Sequence, residues 1–212
     1  IKKLLNNGGN SSSVDFILDK AFDLPVKYSF HKFNGLVKEV SKNLGKKVRL
    51  KLSGIQGSLE KQKLDSLLEA MVHLIRNSLD HGIEKPEHRL SLGKDEVGEI
   101  EISCQKGQNS ELVIIIKDDG QGIDTNKIVE KTRRSGLVAE SEIVKMSEEE
   151  KLQLIFLTSL STKEIVSEIS GRGVGMDVVQ RVLNDAGASI EIKNSFGKGL
   201  QFTITFPYSL AA

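Results

Sequence analysis

From Leu59 to Asp80 the chain sets apolar residues at spacings of three and four: Leu64, Leu68, Met71, Ile75 and Leu79. That period fits a long amphipathic helix whose apolar stripe must be buried, and it is the strongest helical signal in the chain. The stripe needs a surface to cover, and the remaining sequence offers strands. Val97 to Gln105 and Glu111 to Lys117 read as a pair, as do Ser189 to Lys193 and Leu200 to Phe206. Lys47 to Leu52 alternates charged with apolar residues after a helical stretch, Phe30 to Leu44, that stops at Gly45. Further helical patterns occupy Asn126 to Ser135, Glu148 to Phe156 and Val174 to Ala186. Helices grouped against a hairpin-rich, mixed sheet argue for a two-layer sandwich of the α/β (α+β) class.

At 212 residues the chain suits one main domain. Thirty lysines and arginines against 29 acids leave a formal charge of +1, with no broad bias toward nucleic acid or anionic lipid. Any bound anion must therefore be held by a local site. The single cysteine, Cys104, has no partner for an intrachain disulfide, and no apolar run is long enough to cross a bilayer. These features suit the cytoplasm. The chain opens at Ile1 without a methionine or signal segment, as a fragment of a longer protein would. Asn6 to Ser13 is rich in small polar residues and glycine and reads as a connection, so the compact domain is expected to start after it.

At about 100° per residue, Glu69, His73, Arg76, Asn77 and Asp80 fall on the helix face opposite the stripe, with His81 just beyond. Most such faces simply meet water, and that reading stays open here. Composition pulls the other way, because histidine and asparagine form helices less well than the lysine and glutamate that usually coat a solvated face. An asparagine carbonyl oxygen suits a hard cation, and magnesium takes few protein ligands beside phosphates and water.

Five aliphatic residues, Leu112 to Ile116, run through Lys117 into Asp118-Asp119-Gly120-Gln121-Gly122-Ile123-Asp124. A buried strand thus delivers two carboxylates to a tight turn, although Asp-Gly is also an ordinary hairpin signal. In the functional reading one buried carboxylate accepts a hydrogen bond from an exocyclic amine, and the glycines admit a flat ring close to the backbone. A second segment, Gly171-Arg172-Gly173-Val174-Gly175-Met176-Asp177, places glycine at alternate positions before an apolar helix. Backbone amides at a helix start favour phosphate. The segment is no dinucleotide fingerprint, since Met176 stands where G-x-G-x-x-G requires glycine, and no P-loop, since no G-K-[ST] follows. Glycines that permit close helix packing are the alternative.

Taken in order, HLIRNSLDHGIE, DDGQGID and GRGVGMDVV resemble the asparagine box and the two glycine boxes of the ATPase superfamily of gyrase, Hsp90, histidine kinases and MutL. Within it the wording is most similar to the CheA-type chemotaxis histidine kinases. FHKFNGLVKEVSKNLGKKVRL before the first box and GKGLQFTITFPYSLA after the last extend the likeness over about Pro25 to Leu210. The resemblance implies a Bergerat-type ATP-binding fold, a mixed, mostly antiparallel sheet covered by helices on one face.

It further implies that Asn77 coordinates Mg2+ bridging the ATP phosphates and that Asp118 binds the adenine amine. Gly120, Gly122 and Ile123 would shape the adenine side, and Lys127 and Lys131, one turn apart, would face the phosphates. Gly171, Arg172, Gly173, Val174, Gly175 and Met176 would let a lid pack over them, with Arg76, Asp80 and His81 as neighbours. His73 stands where the gyrase and Hsp90 branches carry a water-activating glutamate, which favours a kinase over a hydrolase and pairs His73 with Asn77 as catalytic residues. Phe156 to Lys163 departs from the family's Pro-Gly-Phe-Ser-Thr wording but keeps Ser161 and Thr162 as lid contacts. Gly199 to Thr203 departs from Gly-Thr-Thr, and Thr203 is kept as a nucleotide contact. His31 reads as structural and His88 as a surface residue.

On this reading Mg2+-ATP lies between the polar helix and a lid spanning roughly Gly120 to Gly175. The γ-phosphoryl group passes to a histidine on a separate phosphotransfer domain, for relay to response regulators. The family resemblance implies a homodimer, with a coupling protein and chemoreceptors reached through other modules, and a cytoplasmic protein at membrane-associated receptor arrays that binds no nucleic acid and does not insert into the membrane. Residues 1–24 would be a linker or the end of a dimerisation region, and residues 25–212 the catalytic domain. A hydrolase would turn over ATP without an acceptor, and a sensing module would bind nucleotide without transferring phosphate.

Overall fold

The computed structural model describes residues 23–108, 111–157 and 175–207. Strand Leu24–Pro25 (β1) leads into helices Val26–Phe30 (α1) and Phe33–Asn43 (α2), then strands Val48–Ser53 (β2) and Ser58–Leu59 (β3). Helix Lys61–Asn77 (α3) continues as one π-helical turn, Ser78–Gly82, before a short helix, Pro86–Ser91 (α4). Strands Gly98–Lys106 (β4) and Leu112–Asp118 (β5) are followed by helices Thr125–Ser135 (α5), Glu140–Ile143 (α6) and Glu148–Gln153 (α7), the last closing on a 3₁₀ turn, Leu154–Phe156. Helix Met176–Asp185 (α8) precedes strands Ser189–Ser195 (β6) and Gly199–Phe206 (β7).

Among the described residues, five strands join in the order β2-β4-β5-β7-β6. β2 runs parallel to β4 and the other neighbours are antiparallel, so the sheet is mixed and mostly antiparallel, with both expected hairpins present. Strand alternation makes it one-sided. Ile100, Ile102, Cys104, Leu112, Ile114, Ile116, Phe202, Ile204 and Phe206 are at most 2% exposed. Burial pushes the Cys104 thiol up to about 12, so it packs as a small apolar group. On the other face Arg49 and Lys51 lie opposite Glu99 and Glu101 in register and pair with them at 2.6 and 3.0 Å. Exposed pairs of this kind add little stability, so the apolar face holds the sheet to the helices.

Helix α3 lies in the covering layer, against α1, α2 and α8. Neighbours on several sides widen its buried arc beyond the stripe read from the sequence. Leu67 and Leu74 are fully buried, while Leu68 is only partly so. The helix starts at Lys61 rather than Leu59 because Ser58 and Leu59 are paired with Pro25 and Leu24 in a separate two-stranded sheet. The lid expected over Gly120 to Gly175 is a packed helical layer in its described part, up to residue 157: Ile128, Val129, Ile143, Leu152, Leu154 and Phe156 are all buried. Among the described residues no helix is long and apolar enough to cross a membrane.

Candidate functional site

Strand β5 buries alternate residues, so the parity that sends Ile114 and Ile116 into the core also sends Asp118 there, at the strand's last position. Asp118 is 2% exposed. Ser78 Oγ donates to its Oδ2 at 2.7 Å and the Gly120 N–H to its Oδ1 at 3.0 Å. Burial pushes this carboxyl above the ordinary aspartate range, against the pull of hydrogen bonds from Ser78, Gly120 and the Leu200 N–H, and the Asp119 charge adds to the rise. A carboxylate so enclosed serves as a directed hydrogen-bond acceptor.

The wall beside it is backbone. A methyl group on Gly120 would stand 2.2 Å from the Gly82 carbonyl oxygen, which also accepts the Gln121 N–H at 2.9 Å. The first glycine segment and the π-helical turn therefore touch main chain to main chain, which only glycine allows. That turn is closed by the Ile83 N–H bonding to Ser78 O at 2.7 Å, and it carries Ser78 toward Asp118. Gly122 takes φ +66°, and a side chain there would meet Ser195 O at 2.9 Å. Ile123 is held by Asn194 in a reciprocal pair, its N–H to Oδ1 at 2.9 Å and Asn194 Nδ2 to its carbonyl at 2.7 Å.

Behind the loop lies a buried ion cluster that the sequence reading did not contain. Arg89, 1% exposed, donates to Asp119 Oδ2 at 2.7 Å, Glu84 Oε2 at 3.0 Å and the Asp95 carbonyl at 2.6 Å. Lys94 Nζ donates to Glu84 Oε1 at 2.7 Å and to the carbonyls of Asp119 and Gly120 at 3.0 and 2.8 Å. Burial drives the Glu84 carboxyl upward, yet hydrogen bonds from Lys94 and its own N–H, with the Lys94 and Arg89 charges, carry it below the ordinary range.

Asn77 ends α3, half-buried, with Nδ2 3.1 Å from Sδ of Met176, the first residue of α8. Among the described residues nothing bonds to its Oδ1, a hard oxygen suited to magnesium. No cluster of three or more His, Cys, Asp or Glu could hold a metal among the described residues, so a cation here would need Asn77 and oxygens brought by a ligand. His73, one turn earlier, is half-buried. Burial pushes its imidazole below the ordinary histidine range, opposed by Glu69 and reinforced by Arg76, which leaves it neutral at pH 7. Arg76 and Asp80 are half-buried, and His81 is exposed, its carbonyl accepting Gln121 Nε2 at 2.7 Å. Lys46 Nζ donates to the Leu79 and Asp80 carbonyls, a cation on the free end of the helix.

The fold thus brings Asn77, Met176, Asp118, Gly120, Gly122 and Ile123 to the ends of α3 and β5. Gly175 caps α8 in an extended conformation. Lys127 and Lys131 are exposed on α5, outside its packed stripe of Ile128, Val129 and Thr132, and make no ion pair among the described residues. Thr203 does not join the group. The parity of β7 turns Phe202 and Ile204 into the core, so Thr203 lies on the opposite face, accepting Gln201 Nε2 at 3.3 Å. The β7 group that reaches Asp118 is the Leu200 N–H. Ser161, Thr162, Gly171, Arg172, Gly173 and Val174 lie outside the described residues. His31 and His88 are exposed. Ser78, Gly82, Glu84, Arg89, Lys94 and Asn194 are the residues missed; Ser78, Gly82 and Glu84 lie within the first box, and the other three lie outside every box.

Residues 62–210 match the family described as Histidine kinase-, DNA gyrase B-, and HSP90-like ATPase. The chain is 40% identical over 188 residues to the Chemotaxis protein CheA of Klebsiella aerogenes and 38% identical over 188 residues to that of Bacillus subtilis, in each case 89% of this chain and 28% of the relative. It therefore spans about 28% of the length of these curated relatives. A nucleotide-free structure of the catalytic domain of the histidine kinase ThkA shares the fold, with a TM-score of 0.54, 14% identity and coverage of 87% of this chain and 93% of that one. The family match opens at the head of α3 and runs past β7, taking in every element that positions Asn77 and Asp118, and the chain belongs to the histidine kinase-, DNA gyrase B- and HSP90-like ATPases.

Proposed function

We propose that residues 25–212 are the ATP-binding catalytic domain of a chemotaxis-type protein histidine kinase, with residues 1–24 a linker or the end of a dimerisation region. The observation that carries the reading is the adjacency of Asn77 and Ser78. These consecutive residues close α3 facing different partners, Asn77 meeting α8 and Ser78 bonding Asp118. A nucleotide laid across this turn would set its base at Asp118 and its phosphates at Asn77. Identity of 38% and 40% to proteins named Chemotaxis protein CheA supports the choice of kinase within the family.

In this reading Asp118 accepts the adenine amine, Gly120, Gly122 and Ile123 border the ring, and Lys127 and Lys131 attract the phosphates. Asn77 Oδ1 would hold magnesium together with oxygens of the ligand, and the metal would supply neutralisation of the charge that develops on the transferred group. Neutral His73 offers a hydrogen bond at the reacting end, and without a carboxylate there water is poorly activated. The γ-phosphoryl group leaves the β-phosphate oxygen of ADP and bonds to an imidazole nitrogen of a phosphotransfer domain, which passes it to response regulators. Dimerisation and coupling to chemoreceptors through a coupling protein belong to other modules, in the cytoplasm.

Calorimetry on this chain tests the site. Saturable, magnesium-dependent ATP binding is expected, lost in Asn77→Ala and weakened but measurable in Asp118→Asn; binding indifferent to both changes would sink the assignments. Adding a phosphotransfer domain should then yield labelled phosphohistidine, and rapid hydrolysis with no transfer would point to a hydrolase instead.

A further inference from the structure

The peptide group between Asp119 and Gly120 is held at both ends. Its oxygen, the Asp119 carbonyl, accepts Lys94 Nζ at 3.0 Å and Arg89 Nη1 at 3.3 Å. Its N–H, that of Gly120, donates to Asp118 Oδ1 at 3.0 Å. A peptide unit is rigid and planar, so the direction from which the two cations grip the oxygen sets the direction in which the N–H points. Lys94 also holds the next carbonyl, Gly120 O, at 2.8 Å. Both cations share Glu84, whose side chain is 3% exposed, and Arg89 forks onto the Asp119 carboxylate, whose Oδ1 accepts the Glu99 N–H at 2.9 Å. Clusters of buried ions rarely stabilise a fold more than apolar side chains of equal volume would. What this cluster contributes is geometry.

We propose that Lys94 and Arg89, braced by Glu84, are positioning residues for base preference: through the Asp119–Gly120 peptide they aim the Asp118 carboxylate at the amino group of a purine. The inference rests on the assignment of Asp118 to the adenine amine. It adds to that assignment a remote pair of cations that touch no part of the nucleotide.

The test compares magnesium-dependent binding of ATP and of purine riboside triphosphate, which lacks the 6-amino group, by calorimetry on this chain. Wild type is expected to prefer ATP and Asp118→Asn to lose the preference. Lys94 is the first residue to change, since its side chain is 18% exposed and sits at the edge of the cluster. Lys94→Met is expected to reduce the ATP preference about fivefold, through weaker ATP binding, with Lys94→Arg restoring most of it. An unchanged preference, or equal loss of both nucleotides, would make Lys94 a purely structural residue and overturn the proposal. Thermal melts check that each variant folds, and Arg89→Lys, which keeps the charge but loses the fork, repeats the test by the same ratio. If Asp118→Asn retains the wild-type preference, the assignment of Asp118 has failed and the inference falls with it.

Discussion

At the end of β5 the chain is tied from every side, whereas at the end of α3 its polar groups stand half-exposed with few partners. Asp118, Asp119 and Gly120 are bonded by Ser78, Leu200, Glu99, Arg89 and Lys94. Among the described residues the Asn77 side chain has only the sulfur contact to Met176, and Lys127 and Lys131, out on α5, have no ion pair. A flat base is recognised by shape and by a few aimed hydrogen bonds, which a preformed wall supplies. A charged triphosphate with its cation is recognised by groups free to take it up, so the proposed nucleotide site would need one rigid end and one unsatisfied end.

The largest effect should come from breaking the rigid end. Arg89→Met is expected to cost about 3–5 kcal/mol in urea unfolding, because it leaves Glu84 and Asp119 undercompensated. A loss below about 1 kcal/mol would erase the contrast. Gly120→Ala should cost about 2–4 kcal/mol in the same measurement, since the added methyl collides with main chain that cannot step aside. Stability equal to wild type would mean that the loop and the π-helical turn separate easily.

A subtler test is pH. Asp118 holds its proton more tightly folded than unfolded, so stability rises as pH falls through its raised folded value and the gain is complete below the ordinary aspartate value. Asp118→Asn should therefore gain on the wild type as pH rises across that window, and parallel curves would dismiss the burial argument. Glu84 has the opposite sign: its contribution is present above the ordinary glutamate value and lost as pH falls through its depressed folded value. At the open end, Asn77→Ala should shift stability by less than about 0.5 kcal/mol while removing magnesium-dependent ATP binding. A large destabilisation there would show that the open end is structural after all.

Both hairpins and the long helix were legible because each rests on local periodicity or on neighbouring residues. The burial of Asp118 was legible for the same reason, since it lies two residues beyond Ile116 on the buried parity of the strand. Thr203 was misplaced although its strand was read correctly: the choice between a site contact and the sheet's outer face depends on parity, and the glycine wording around it carried no parity. Leu67 and Leu74 escaped the helix stripe, since α3 packs against α1, α2 and α8, and the full buried arc of a helix with neighbours on several sides is wider than one stripe.

The chain's own pattern of apolar residues determined that helices would cover one face of a mixed sheet, and its glycines and carboxamide marked the place where we propose that a ligand sits. Only the tertiary structure decided how that place is held. Glu84, Arg89 and Lys94 look like surface residues of a charged connection until folding carries them behind Asp119, where burial turns ordinary charges into a fixed frame. Periodicity reports which face of an element is apolar. It says nothing about which buried charges will meet, because those meetings join residues far apart in the chain.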